Sequence, residues 1–275
     1  MSYKRVLTIQ DISCVGQCSL TVALPIISAC GCETAVLPSA VLSTHTAGFS
    51  GYTFRDLTED FPAIEKHWKK EGLKFDAIYT GYLGSTTQVK YVLSIFKSAA
   101  KDKCVKIVDP AMADNGVLYP AFDAKYVNAM KKLCAEADIV LPNITEACFL
   151  TGIEYKEEYD EKYIVSLCKA LKALGAKKVV LTGVGYKKNK TGVVVYGSSL
   201  QYYEHEKMKQ GRHGTGDVYA SAFTGALMSG KSVFTAAKIA ADYTLSCIKH
   251  SQKGANPYGV KFEPELKLLI ELLSK

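Results

Sequence analysis

Short apolar runs alternate with longer stretches in which apolar residues return every three or four positions. Val6-Leu7-Thr8-Ile9 is one such run, ended by Gln10-Asp11-Ile12-Ser13. It reads as a buried parallel strand feeding a loop. From 16 to 29 the residues Leu20, Ala23, Leu24 and Ile27 fall at helical spacing and Gly31 closes the segment, which predicts a helix. The pattern then repeats. Strands are expected at 34–38, 77–80, 105–108, 139–141 and 179–181, and helices around 87–99, 125–134 and 162–174. A further helix carries Ile64 and Trp68 inward, and another opens at Thr145-Glu146-Ala147. Segments 192–196 and 201–204 predict a hairpin. Helices over 218–228, 233–249 and 262–273 close the chain.

Strand and helix alternate almost throughout, so the expected class is α/β: a mainly parallel sheet with helices on both faces. No linker, repeat or low-complexity stretch interrupts residues 1–275, and a single domain is expected. Ligands of such sheets lie at the carboxyl ends of the strands. The polar residues that follow expected strands are Asp11, Ser13, Tyr82, Asp109, Asn143, Glu146 and Thr182. The loop at 43–52 contains His45 and Thr46 with two aromatics, Phe49 and Tyr52, and is long for a connector. The loop at 111–120 contains Asp114-Asn115-Gly116.

Asp109 precedes a proline that fixes its turn, and Glu146 stands three residues after Asn143 in the first turn of a helix. Such hard oxygen donors suit magnesium, which binds through one or two carboxylates plus substrate phosphates. Asp109 could equally be a turn acid, and Asn143 with Glu146 a capping box. The densest chemistry is Gly211-Arg212-His213-Gly214-Thr215-Gly216-Asp217, followed by small and apolar residues. Glycines there let successive N–H groups converge, and a helix N-terminus adds unpaired donors and a positive dipole end, a combination that binds phosphate. A carboxylate in an anion site makes sense if Asp217 takes the proton of a hydroxyl that attacks a phosphoryl group. The same letters also fit a plain helix start, with Thr215 as N-cap and Asp217 as a first-turn acid. His45 and His213 have no paired nucleophile nearby, so substrate contact is expected of them rather than proton transfer. There is no G-x-x-x-x-G-K-[ST] loop, which excludes a P-loop enzyme.

Composition narrows the class. The apolar fraction is 48%, enough for a large core. Net charge is +7, yet the only arginines are Arg5, Arg55 and Arg212, and the lysines are scattered. Nucleic-acid readers gather arginine for bidentate contacts, so no nucleic-acid partner is expected. Nine cysteines include no C-x-x-C pair, and their odd number argues against a disulfide scaffold. Free thiols in a cytoplasmic protein are expected. The first nine residues are too short an apolar run for a signal peptide, and no stretch reaches the ~20 apolar residues of a membrane span.

Six stretches in order carry a resemblance. They are Val6-Leu7-Thr8-Ile9-Gln10, Ser43-Thr44-His45-Thr46, Thr80-Gly81-Tyr82, Asp109-Pro110 with Asp114, Leu141-Pro142-Asn143 with Glu146, and Gly214-Thr215-Gly216-Asp217. Together they resemble the vitamin B6 kinases, pyridoxal or pyridoxamine kinase, of the ribokinase-like superfamily. The resemblance implies a three-layer α/β/α sandwich and ATP-dependent phosphorylation of a B6 vitamer. It implies Asp217 as base, Gly214, Thr215 and Gly216 as anion hole, and Asn143 and Glu146 at magnesium and phosphate. Asp109 and Asp114 would line the cation and phosphate region, and Thr182 with Gly183 would contact the nucleotide. Thr46 and Tyr82 would contact the pyridine ring, with Asp11 and Ser13 at its polar edge. Mg2+, a K+ ion near Asp109 and Thr182, and a homodimer are implied as well. The chain departs from the usual pattern at Asp11, where B6 kinases carry serine, and at Thr44, where they carry asparagine. The layout of 7–31 looks closer to the hydroxymethylpyrimidine kinases of the same fold. A non-catalytic B6 or nucleotide-binding protein is the alternative from another class, and an intact Asp217 beside an intact anion loop argues against it.

Overall fold

Each apolar run expected as a strand is one. The computed structural model describes residues 3–46, 48–208, 213–252 and 258–275. Gly211 and Arg212 of the glycine loop and Ala47 of the 43–52 loop lie outside the described residues. The strands are β1 (Arg5–Ser13), β2 (Glu33–Leu42), β3 (Phe54–Asp56), β4 (Phe75–Thr80), β5 (Ala100–Val108), β6 (Ala113–Asp114), β7 (Val117–Leu118), β8 (Ile139–Val140), β9 (Lys178–Thr182), β10 (Lys190–Tyr196) and β11 (Leu200–Glu206). All but β6 and β7 join one sheet in the order β11-β10-β9-β8-β5-β4-β1-β2-β3. The six strands from β9 to β2 run parallel, and β3, β10 and β11 are antiparallel additions at the edges. Val6 lies opposite both Thr34 and Ala77, so β1 is an interior strand paired on both sides, where a nearly continuous apolar run belongs.

The helices are α1 (Leu20–Ala29), α2 (Phe61–Lys70), α3 (Thr86–Ser98), α4 (Ala124–Ala135), α5 (Ile144–Thr151), α6 (Glu161–Ala173), α7 (Thr215–Met228), α8 (Val233–Ser251) and α9 (Leu266–Ser274). One face of the sheet packs on α2 to α6 through residues such as Phe61, Val92, Met130, Leu150 and Leu167. The other packs on α1, α7, α8 and α9 through Ile26, Phe223, Ala240, Tyr243 and Leu269. This is the three-layer α/β/α arrangement that the alternation implied.

The differences are local. The helix expected from 16 begins only at Leu20, because Gly16 and Ser19 take positive φ and the chain between them forms a tight loop. The terminal helix expected from 262 begins at Leu266, after a 3-10 turn over Glu263–Glu265 that contains Pro264. Strand β2 continues through Pro38, and a register shift between Gln10 and Ile12 accommodates the change in pairing there. Edge strand β3 escaped the pattern because all three of its residues are exposed, leaving no alternation to detect. Within the loop at 111–120, β6 and β7 form a two-residue hairpin whose Asn115 and Gly116 have φ of 50° and 80°, the values of a type I′ turn.

Candidate active site

The carboxyl ends of the parallel strands are stitched side by side. The Gly81 N–H donates to the Ile9 carbonyl, Asp109 N–H to Thr80, Leu141 N–H to Val108 and Thr182 N–H to Pro142. A cleft of about 430 Å³ opens there, lined by Asp109, Asp114, Asn143, Glu146, Thr182 and Gly183 from the sheet side. From the helix side it is lined by His213, Gly214, Thr215, Gly216 and Asp217. Residues more than a hundred positions apart thus share one crevice, as the strand-end rule requires.

Glu146 and Asn143 form a complete capping box. The Asn143 side-chain carbonyl accepts the Glu146 N–H at 2.8 Å, and the Glu146 carboxylate accepts the Asn143 N–H at 2.9 Å. The other Glu146 oxygen accepts the Met112 N–H at 3.2 Å, and the Asn143 amide donates to the Ala113 carbonyl at 2.9 Å. Cap and cleft wall are therefore the same residues, and the two readings of the sequence coexist. Burial pushes Glu146 up to about 8, against the backbone donors of Asn143, Met112 and Ala113, and the nearby Asp114 carboxylate adds to the rise. Burial, then the charges of Glu146 and Asp217, hold Asp109 well above the usual carboxylate range. Among the described residues no lysine or arginine forms an ion pair with either. Buried carboxylates without a cation are costly. The pair fits a magnesium ion that draws its remaining ligands from water and phosphate. Among the described residues no group of three or more His, Cys, Asp or Glu side chains forms a cage for a metal, so protein ligands alone do not complete one.

Helix α7 begins one turn earlier than expected, with Gly214 as its N-cap at φ 79°. A Cβ on Gly214 would stand 2.0 Å from the Gln17 carbonyl oxygen, so glycine is required for the helix to dock on the loop before α1. Thr215, Gly216 and Asp217 then occupy the first turn of the helix, at the positive end of its dipole. Burial pushes Asp217 up to about 7, the Ser19 N–H opposes the rise, and the charge of Asp11 adds to it.

Asp11, Ser13, His45, Thr46 and Tyr82 are not among the residues that line this cleft; they form a second group, from which the charge of Asp11 on β1 acts on Asp217. Asp11 and Ser13 are buried, and the Ser13 hydroxyl donates to Asp11 at 3.4 Å. Burial raises the Asp11 pKa, while Ser19, its own backbone and Ser13 restrain the rise. Asp11 is close enough to Tyr82 for its charge to act on the phenol, and the Tyr82 ring lies 5.5 Å from Phe122. His45 is buried, edge-on to Phe49 at 5.0 Å and tilted toward His213 at 6.1 Å. Burial, with His213 adding, lowers its pKa and favours the neutral ring. Thr46 is exposed, one position beyond His45, and is the expected site residue least enclosed by the fold.

Three features had gone unread in the sequence. Tyr119 borders the cleft beside the carboxylates, and burial followed by the Glu146 charge raises its phenol. Ala241, Thr244, Leu245 and Ile248 present one face of α8 to the cleft opposite Val193. Their i, i+3, i+4, i+7 spacing was a visible signal, but it reads identically for an ordinary core face. Ser19 gave no signal at all. All nine cysteines are free. No helix among the described residues is long and apolar enough to cross a membrane.

Fold and cleft together define a small-molecule kinase of the ribokinase-like superfamily. The phosphomethylpyrimidine kinase family matches residues 24–260, and the chain belongs to that family. It is similar to a candidate phosphomethylpyrimidine kinase from Bacteroides thetaiotaomicron, solved in a form with pyridoxal, at 34% identity and a TM-score of 0.91 over 98% of this chain and 96% of that one. It is similar to the pyridoxal kinase of Lactobacillus plantarum at 30% identity and TM-score 0.91, covering 98% of both chains. The pyridoxine kinase of Bacillus subtilis is 30% identical over 66% of each chain. The hydroxymethylpyrimidine/phosphomethylpyrimidine kinase of Haemophilus influenzae is 29% identical over 62% of this chain and 64% of its own.

Proposed function

We propose that this kinase transfers the γ-phosphoryl group of ATP to the 5′-hydroxymethyl group of a B6 vitamer, a salvage route to pyridoxal 5′-phosphate. The observation that carries the reading is Asp217: a carboxyl at about 7, in the first turn of α7, facing two buried acids and a glycine-rich anion site. A general base works best when its pKa lies near the working pH. In this reading Asp217 accepts the hydroxyl proton, and the N–H groups of Gly214, Thr215 and Gly216 receive the phosphoryl oxygens. Asn143, Thr182, Gly183 and Asp114 border the triphosphate, and the apolar α8 face takes the base. Solved neighbours at 20–25% identity include pyridoxal kinases with ADP bound, and their likeness in fold agrees with a nucleotide in this cleft.

Magnesium, when bound, would neutralise phosphate charge, and Asp109 and Glu146 are the residues that would hold it. Thr182 and Asp109 border the place proposed for potassium. The second group, Asp11, Ser13, His45, Thr46 and Tyr82, is proposed to receive the ring. Asp11 stands where a carboxylate would accept a bond from a ring hydroxyl and attract the aminomethyl group of pyridoxamine. A single domain, a cytoplasmic location and a homodimer complete the proposal.

The second reading is phosphorylation of hydroxymethylpyrimidine, favoured by the family's name and by the Haemophilus relative. An ATP-consumption assay over pyridoxal, pyridoxine, pyridoxamine and hydroxymethylpyrimidine separates the two. A B6 vitamer is expected to give the highest kcat/KM, with pyridoxamine accepted well. If hydroxymethylpyrimidine is best, the assignment passes to the second reading. Asp11→Ser is expected to shift preference among the three vitamers, and an unchanged ranking would remove Asp11 from the ring wall.

A further inference from the structure

We propose that Tyr258 is a positioning residue for the ring substrate: its side chain stacks on Phe49 and so holds the 43–52 loop, with His45 and Thr46, in place for binding. The inference rests on the reading of Asp11, Ser13, His45, Thr46 and Tyr82 as the group that receives the ring.

The loop has little of its own to fix it. Its base is closed by two bonds, from the Ser43 N–H to the Thr53 carbonyl at 3.1 Å and from the Thr53 N–H to the Ser43 hydroxyl at 2.9 Å. Among the described residues from Thr46 to Thr53, every one is exposed except Phe49. Such a loop samples many conformations unless a side chain ties it to the body of the protein. Phe49 is that side chain, and two rings grip it. The Tyr258 ring stacks on it at 5.6 Å with 20° between the planes, and the His45 ring meets it edge-on at 5.0 Å and 76°. Both are arrangements that aromatic rings favour.

Tyr258 can serve as an anchor because the chain beside it is itself held. The Gln17 N–H donates to the Tyr258 carbonyl at 2.7 Å, and the Val260 N–H donates to the His213 carbonyl at 3.2 Å. Gly259 lies between them and bridges to Gln17. Its φ is 111°, and a Cβ there would stand 3.1 Å from the Gln17 carbonyl oxygen and 3.2 Å from that of His213, so the position suits glycine. Further on, Val260 and Phe262 are buried, the Lys261 N–H donates to the Ser251 hydroxyl at 2.8 Å, and the Tyr243 hydroxyl donates to the Phe262 carbonyl at 3.0 Å. Residues 258–262 are thus a strap pinned to α8 that crosses the loop before α1 and the start of α7. The contacts close into a circuit: Tyr258 on Phe49, Phe49 on His45, His45 on His213 at 6.1 Å, and His213 back to Val260. His45 is seated in that circuit by its N–H, which donates to the Val15 carbonyl at 3.3 Å, and by its ring, which fills the space a Cβ on Gly16 would need. Tyr258 is 44% exposed, so its ring serves the loop contact more than the core.

Steady-state kinetics with ATP and whichever of the four compounds gives the highest kcat/KM test the assignment, with thermal melts alongside. Losing one aromatic pair lowers the fraction of molecules with the loop in place by a factor of roughly 2–12. Tyr258→Ala is therefore expected to raise the KM for the ring substrate roughly 2–12-fold, with kcat and the KM for ATP within about twofold of wild type. Tyr258→Phe keeps the stacked ring and is expected to restore the wild-type KM. Phe49→Ala is expected to raise the same KM at least as far, and adding Tyr258→Ala to it to change nothing further, because both remove one contact. A residue that merely packs a surface would lower Tm in Tyr258→Ala and leave both KM values at wild type. That result overturns the inference, as does a Tyr258→Phe as impaired as Tyr258→Ala, or alanine effects that multiply in the double variant. If Tyr258→Ala does not fold, the ring-substrate KM of Phe49→Ala decides. Asp11→Ser is the control for the site. An unchanged KM and an unchanged ranking of compounds there remove the reading of the group as ring site, whereas a change there beside a normal Tyr258→Ala removes only the role of Tyr258.

Discussion

Replacing Glu146 by glutamine separates the cost of a buried charge from the use made of it. Glu146 titrates at about 8 in the folded chain against an ordinary 4.5. The folded state therefore binds its proton more tightly than the unfolded state does. The resulting stability is fully present below about 4.5 and is lost as pH rises through about 8. Each pH unit of that window is worth about 1.4 kcal/mol, so the metal-free protein at pH 8 has lost on the order of 4 kcal/mol through this one group. Asp109 is shifted in the same direction by the same burial and acts with the same sign. Glutamine removes the charge but offers one acceptor oxygen to two backbone donors, Asn143 N–H and Met112 N–H, so one of them is left facing the amide NH2. That mismatch costs about 1 kcal/mol. The net gain in metal-free protein at pH 8 is about 3 kcal/mol, or roughly 6–12 °C in Tm for a chain of this size. The assay is a set of thermal melts at pH 6 and 8, with chelator and with a magnesium titration, on both proteins. Wild type is expected to lose Tm from pH 6 to 8 and to recover it with magnesium. Glu146→Gln is expected to show a flatter pH response, a smaller magnesium shift, and a higher magnesium concentration at half-maximal rate. A wild-type Tm that does not change with pH, or an unaltered magnesium response in the variant, would refute the reasoning and leave Glu146 as a helix cap alone.

The remaining predictions concern the base, the helix start and the assembly. Asp217→Asn is expected to lower turnover by roughly 10²–10⁴-fold with nucleotide binding retained, as measured by calorimetry beside the kinetics. Because the carboxyl must be ionised to accept a proton and titrates at about 7, kcat/KM is expected to fall about tenfold per pH unit on the acid side of that value; a flat profile down to pH 5 would count against it. Gly214→Ala combines φ 79° with a Cβ 2.0 Å from the Gln17 oxygen, and is expected to cost roughly 2–4 kcal/mol in denaturant unfolding. Light scattering is expected to give a dimer, and intact mass under non-reducing conditions should show no hydrogens lost to disulfides from the nine free thiols.

Much of the fold is written in local periodicity. The runs at 6–9 and 77–80 are buried throughout because parallel strands are covered on both faces, so sequence alone marks them as interior strands. The polar residues that end those runs must emerge at one edge, which is why Asp109, Asn143, Glu146 and Thr182 could be grouped before any coordinates. Gly214-Thr215-Gly216-Asp217 was legible for a related reason, since glycines beside an acid at a helix start satisfy a backbone requirement that few other residues meet. Other features depend on partners distant in the chain. Strand β3 has no buried face, and only its pairing with residues 40–42 of β2 reveals it. The α8 face becomes a cleft wall only because β10 ends opposite it. The values of about 7 at Asp217 and about 8 at Glu146 arise from burial and from other carboxylates brought close by folding, a sum that no local pattern encodes. Periodicity and strand-end chemistry belong to the chain itself, because they follow from how each residue meets water and its own backbone. Electrostatics and strain belong to the tertiary structure, because they are set by neighbours that the chain meets only after it has folded.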